Sequence, residues 1–564
     1  MTIKLIVQYG TVFLVLSVLC EHFFCKIVEI NTKSGKILGT TVRARDGRCI
    51  RCFRGIPYAQ PPVGDLRFKA PVPVNNSYAI LNATADAPPC PQINPSNKMV
   101  IGEENCLYLN VYTPQIPVLR GCKKKLPVLF FVHGGRWLVG SSNSHVYGPE
   151  FLLEKDIVLV TINFRLGVFG FLSSGDDVAA GSWGLKDQVL ALKWVQDNIE
   201  IFGGDPDRVT IMGESKGGAA VNSMFYAPSA KGLFKRCVSL SGVVQNPYSF
   251  APLVNISTPS KKLAELVECP TEPSESFVDC MRNVDFRRLI QLESQVYPND
   301  IEKPTTGTLW APTIEPKSSP SPYLTIDPKL ATFRPNYPWL NIINAADGGV
   351  YVAYIFGEPD LENLLAENPK LVLPVLLSLD FEFCADDIPE IVNRILTFYF
   401  GDLPVGRSTE SQLVNLFSDY FFFTGVENAS LNYGGEVSVY RYTYIQSVTF
   451  NSLRGDGSLR AAPTHSDVLL NFFPDLKNFP NRTYTEKDVE VSKLMVEALV
   501  SFIEDGNPTK FSSIKWSPSD LTENEIYQKA EPFLQEQCIS ERLQFWSTIR
   551  AEFRTKTLTD SQIC

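Results

Sequence analysis

Three apolar runs set the tightest limit on how this chain folds. "LPVLFFVHGG", "DIVLVTINF" and "DRVTIMGES" are rich in β-branched and aromatic residues, and each is bounded by turn signals. Strands that are apolar on both faces are buried on both faces, as in mostly parallel sheets covered by helices. Between the second and third runs, "GLKDQVLALKWVQDNI" repeats Leu185, Val189, Leu190, Leu192 and Val195 at helical spacing. Strand, helix, strand is the pattern of an α/β fold. No internal repeat, low-complexity tract or Gly/Ser linker divides the 564 residues into separate units.

Hydrophobic residues make up 44% and charged residues 20%, the proportions of a globular chain rather than a disordered one. A net charge of −9 without a Lys/Arg-rich face argues against nucleic acid and anionic membrane surfaces, whose affinity depends on positive charge. The first 24 residues, "MTIKLIVQYGTVFLVLSVLCEHFF", hold one early lysine and then an apolar run that ends in small residues around Ser17 to Cys20. That reads as a signal peptide over residues 1–20, because the run is short for a spanning helix. One domain over 21–564 remains. The C-terminus carries no lipid-anchor tail and no retention signal, so a soluble, secreted, extracellular protein without a membrane anchor is expected. Of thirteen cysteines, twelve remain once Cys20 leaves, and an oxidising exterior favours bridges between them. Glycosylation acceptor triplets stand at Asn75, Asn82, Asn255, Asn428 and Asn481.

Gly-x-Ser-x-Gly alone is weak, with about 0.2 chance matches in a chain of this length. Around Ser215 it gains context: the strand-like "RVTIM" precedes it, and "GGAAVNSMF" follows with small residues that let a helix begin close to the strand. Such a turn holds a serine strained and exposed above the sheet edge, as a nucleophile requires. The helix start also favours negative charge developing nearby. Upstream, "FFVHGGRW" places Gly134 and Gly135 just after an apolar strand, where backbone N–H groups can face an oxyanion. Only four histidines are present, and His22 belongs to the signal region. His465, in "APTHSDVLLNFF", lies in a Pro-containing segment before an apolar run and is the candidate base; His133 is expected to support the glycine loop, and His145 to be an ordinary loop residue. Asp347, after the apolar "WLNII" and before two glycines, gives the order Ser, Asp, His, although composition cannot choose it among 61 acidic residues.

Together with "FRGIPYAQPPVGDLRFKAPVP", "ENCLYLNVYTP" and "TINFRLGVFGFLSS", these segments make the sequence resemble the type-B carboxylesterase and cholinesterase family of α/β-hydrolases, in its secreted insect branch. The resemblance covers nearly the whole chain beyond the leader. It implies a large twisted, mostly parallel sheet flanked by helices, and hydrolysis of a small-molecule ester through an acyl-enzyme, without metal or cofactor, by a monomer or homodimer. Carried over by position, it assigns the nucleophile to Ser215, the base to His465, the acid to Asp347 in place of the usual Glu, and the oxyanion donors to the N–H groups of Gly135, Arg136 and Lys216. It also implies disulfides Cys90–Cys106 and Cys269–Cys280, each worth about 3 kcal/mol, and an ion pair between Arg67 and Glu104. Cys49 and Cys52 lie in a β-like stretch that does not suit a redox pair. The first disulfide loop lacks a tryptophan for a choline cation, which argues against choline esters.

Lys216 and Arg136 stand where the family usually has Ala and Gly or Ala. Both cations are expected to turn toward solvent or an acidic partner such as Glu214, leaving an ordinary esterase. The alternatives are recognition of an anionic group on the substrate, or crowding that leaves an impaired homologue serving as a ligand-binding or adhesion protein. Juvenile hormone esterases commonly carry Gln where this chain has Glu214, which lowers the hormone reading.

Overall fold

The computed structural model describes residues 27–553, apart from 33–34, 75–78, 117–123, 297–309, 333, 436, 454–461, 508–525 and 529–536. The proposed leader, Asn75 and Cys564 lie outside the described residues.

The strands are β1 (Val28–Thr32), β2 (Gly35–Arg43), β3 (Cys49–Pro57), β4 (Ile80–Asn82), β5 (Gln92–Ile93), β6 (Val100–Ile101), β7 (Tyr108–Thr113), β8 (Leu126–Val132), β9 (Val158–Ile162), β10 (Gly204–Glu214), β11 (Arg236–Leu240), β12 (Trp339–Asn344), β13 (Val437–Tyr442) and β14 (Ile526–Gln528). Twelve form one sheet in the order β1-β2-β3-β7-β9-β8-β10-β11-β12-β13-β14, with β4 beside β2, while β5 and β6 make a separate hairpin. From β9 to β13 every ladder is parallel. The flanks from β1 to β9 are antiparallel, as is the edge pair β13-β14. The reason at the start of the chain is connection length: short links return a strand beside its predecessor, whereas parallel neighbours need crossovers.

Each central strand feeds two cores. All seven residues of β8 are buried; Val128, Phe130 and Val132 join one cluster, and Leu129 and Phe131 the other. Each such side chain contributes about 1.5–3 kcal/mol on burial. Helix Trp183–Asn198 covers the first face with Leu185, Val189, Leu192 and Val195. Helix Glu486–Asp505 covers the second with Val491, Met495, Leu499 and Ile503. The latter starts at a capping box, Thr485 Oγ1 accepting from the Asp488 N–H and Asp488 Oδ2 from the Thr485 N–H, both at 3.0 Å.

Chain direction places the working end of the molecule. From β8 the chain goes to β9 on one side, then to β10 on the other, so the sheet order reverses at β8. A crevice opens at the carboxyl ends of strands at such a point. There β8 ends just before His133, β10 just before Ser215 and β12 three residues before Asp347.

Cross-links hold the approach to that end. Disulfides Cys90–Cys106 and Cys269–Cys280 are formed. The Arg67 guanidinium donates to both Glu104 oxygens, at 2.7 and 2.5 Å, and to the carbonyls of Met281 and Val284. One side chain thus ties the first disulfide loop to the chain just after the second. Cys384 is also disulfide-bonded, which the sequence reading did not anticipate. Cys49 and Cys52 are unbridged on β3, one exposed and one buried. Asn82 and Asn481 are exposed, whereas Asn255 and Asn428 are half-buried in helices Leu253–Leu266 and Thr424–Leu431.

Candidate active site

Ser215 stands between β10 and helix Lys216–Ser223 with φ 56° and ψ −124°. That left-handed backbone is strained for a serine, and strain of this kind clusters at functional turns. Its neighbours make the turn possible: a Cβ on Gly213 would lie 2.1 Å from the Gly217 carbonyl oxygen, and one on Gly217 would lie 2.3 Å from that of Val132. The Ser215 N–H donates to the Leu240 carbonyl at 2.7 Å, anchoring the turn to β11. Lys216 opens the helix, so its N–H has no intrahelical acceptor.

His465 Nε2 lies 2.8 Å from Ser215 Oγ, and its Nδ1 lies 3.0 Å from Asp347 Oδ1. The three residues that sequence reasoning singled out are therefore brought together, although 250 residues separate the first contact. Asp347 is 0% exposed. Its carboxylate is nevertheless satisfied: Oδ2 accepts from Ser241 Oγ at 2.8 Å and the Asn344 N–H at 3.0 Å, while Oδ1 also accepts from Asn344 Nδ2 at 3.0 Å. Asn344 Oδ1 accepts from the Val468 N–H, tying the acid to the histidine segment. Asp467 fixes that segment through the Thr464 and Phe450 N–H groups, each at 2.8 Å. Beyond His465, a π-helical turn, Asp419–Phe423, sets the Phe422 ring 4.8 Å from the imidazole. Glu214 Oε1 accepts from Ser466 Oγ at 2.8 Å and lies 3.4 Å from His465 Nε2.

The glycine loop lies directly against Ser215: a Cβ on Gly134 would be 3.0 Å from Ser215 Cβ and 2.4 Å from Glu214 Oε2. Gly135, Arg136 and Trp137 all have positive φ, 114°, 60° and 64°. The turn is closed by the Leu138 and Val139 N–H groups on the Gly135 carbonyl, and by the Gly167 N–H on that of Trp137. His133 supports it as expected. Its Nδ1–H donates to the Gly134 carbonyl at 2.7 Å, its ring stacks on Phe164, and burial pushes its pKa down to about 4. Gln92, inside the first disulfide loop, grips the far end of the turn: Nε2 donates to the Gly140 carbonyl and Oε1 accepts from the Gly140 N–H, both at 2.8 Å. His145 is exposed in a loop.

A sequence model of the carboxylesterase family matches residues 26–546. The chain belongs to the carboxylesterase family. Carboxylic ester hydrolysis is the chemistry of that family, and this chain is an enzyme of that class. Among similar proteins, Juvenile hormone esterase of Tribolium castaneum is 34% identical, over 89% of this chain and 87% of that one. Esterase FE4 of Myzus persicae is 33% identical, over 89% and 88%. The crystal structure of Juvenile Hormone Esterase from Manduca sexta, with OTFP covalently attached, superposes with a TM-score of 0.77 at 26% identity, covering 93% of this chain and 99% of that one.

Within this carboxylesterase frame the two cations part company. Arg136 is exposed, as expected. Lys216 corrects the expectation: it turns neither to solvent nor to Glu214. Its side chain is buried, with Nζ donating to the Tyr248 carbonyl at 2.7 Å and lying 4.6 Å from the Tyr248 ring centroid. Burial, and then the like charge of Arg136, hold its pKa well below that of an ordinary lysine. The Tyr248 ring packs 5.7 Å from Phe422, which faces His465.

Sequence reasoning missed Ser241, Asn344, Asp467 and Gln92. Two left a trace. Asn344 ends an apolar strand with a polar side chain, and Asp467 follows the histidine by two residues; a buried polar group in either place needs a partner.

Proposed function

We propose that the protein is a secreted serine carboxylesterase that works through an acyl-enzyme, with one catalytic domain over residues 21–564. The observation that carries this reading is the unbroken run of hydrogen bonds from Ser215 through His465 to Asp347, beginning at a serine held with φ 56°. In it, His465 Nε2 takes the proton of Ser215 Oγ as the oxygen attacks the ester carbonyl, then returns it to the leaving alcohol. Asp347 holds the Nδ1–H tautomer and stabilises the imidazolium. The N–H groups of Gly135, Arg136 and Lys216 receive the oxyanion. Water repeats the cycle on the acyl-enzyme.

Secretion rests on the leader sequence, and among the described residues no helix is long and apolar enough to cross a membrane. Asn82 and Asn481 are the best-presented glycosylation sites, being exposed. The substrate is a carboxylic ester. Similarity to juvenile hormone esterases makes that hormone one ester to assay, with Glu214 as the residue that sets this chain apart.

The test is labelling of the purified protein with a fluorophosphonate, followed by peptide mapping, beside burst hydrolysis of 4-nitrophenyl acetate. Labelling on Ser215, lost in Ser215→Ala, is expected. A folded protein that takes no label would overturn the reading in favour of a non-catalytic homologue.

A further inference from the structure

Among the described residues, Lys216 is a buried amine that meets no carboxylate. Its Nζ carries three donors when protonated, yet among the described residues the acceptor it meets is one backbone carbonyl, that of Tyr248. The charge acting on it is that of Arg136, of the same sign. The carboxylates nearest the reaction centre are committed elsewhere. Asp347 is held by His465, Ser241 and Asn344, and Glu214 by Ser466 beside His465. An ammonium buried without a counter-ion costs several kcal/mol unless a partner arrives.

Its place fits a partner that arrives with the substrate. Lys216 follows the proposed nucleophile directly and opens the helix that begins there. It packs on Tyr248, whose ring contacts Phe422, and Phe422 faces His465. A line of packed rings therefore runs from the amine to the imidazole. In such a low-dielectric setting a carboxylate accepting from Nζ forms a strong, charge-assisted bond.

We propose that Lys216 is a specificity-determining residue that selects esters bearing a carboxylate close to the scissile bond. This rests on the esterase reading and deepens it. The carboxylate can belong to the acyl part, as in a half-ester of a dicarboxylic acid, or to the alcohol.

Two pairs of substrates separate these sources: mono-4-nitrophenyl glutarate against 4-nitrophenyl valerate, and 4-acetoxybenzoate against phenyl acetate. The ratio of kcat/KM, anionic over neutral, is measured within each protein after active-site titration with a fluorophosphonate. In the unaltered chain one ratio is expected to exceed unity, and to fall by about ten- to a hundred-fold in Lys216→Met, as for loss of a hydrogen bond to a charged group. Lys216→Arg, which keeps the charge, restores part of it. Glutarate should inhibit hydrolysis of the neutral ester competitively in the unaltered chain and not in Lys216→Met. Neutral preference in both pairs, or ratios that Lys216→Met leaves alone, would overturn the inference. A protein that fails to titrate at all instead refutes the esterase reading beneath it.

Discussion

Replacing Asp347 by glutamate should harm this chain. Asp347 is wholly buried and both oxygens are engaged: Oδ1 by His465 and Asn344 Nδ2, Oδ2 by Ser241 and the Asn344 main chain. An added methylene moves the carboxylate toward His465 and away from the donors on Oδ2. Each lost bond to a charged acceptor costs about 1.5–3 kcal/mol, and overpacking a filled site adds about 1–3 kcal/mol. If about 3 kcal/mol of this is felt in the transition state, kcat falls by about 10². Asp347→Asn sets the scale, with a loss of about 10⁴ when the histidine is held in the wrong tautomer. The assay is single-turnover acylation by 4-nitrophenyl acetate, corrected for active sites, beside a thermal melt. Asp347→Glu should fall between the two proteins in rate and melt below the unaltered chain. Equal rate and equal melting temperature would refute the reasoning, since the Ser241 and Asn344 clamp would then have no hold on the acid.

Three further outcomes are expected. Ser241→Ala removes one donor from Asp347 and should lower kcat by about 10- to 100-fold with KM unchanged, the split that marks a positioning role. Gly134→Ala forces a Cβ against Ser215 and Glu214, displacing the oxyanion turn, and should slow both ester hydrolysis and fluorophosphonate labelling by about 10²–10³. Lys216→Met should raise the melting temperature at neutral pH. Because the folded pKa of Lys216 lies below that of the unfolded chain, the unfolded state binds more protons between the two values and stability rises with pH there. The advantage of Lys216→Met should therefore shrink as pH climbs toward about 10.4, the ordinary lysine value. An advantage independent of pH would show that packing, not charge, is responsible.

The sheet was legible because its central strands are apolar throughout, a pattern imposed by burial on both faces. The serine turn was legible because only glycines fit where the Cβ contacts fall below 3 Å. Asp347 was reached through its place between an apolar run and two glycines, the order Ser, Asp, His, and family resemblance, since composition does not separate it from other acids; what singles it out is the clamp of Ser241 and Asn344, which exists only after β11 and β12 pair. Lys216 was misjudged for a related reason. Local sequence offers Glu214 as a neighbour, but the fold sends the two side chains apart, and the acceptor it finds, the Tyr248 carbonyl, lies 32 residues away. The antiparallel flank of the sheet was also understated, because a run such as β3 is broken by charge, at Arg51 and Arg54.

The reversal of strand order at β8 bears on the birth of the molecule. Ser215 leaves the ribosome long before His465, and 250 residues must follow before serine and imidazole meet. Until then the growing chain holds a serine with no base and an oxyanion turn with nothing to receive. On the proposed mechanism the base reaches the serine only once residue 465 has been made, and a fragment ending before His465 should lose most of its hydrolysis.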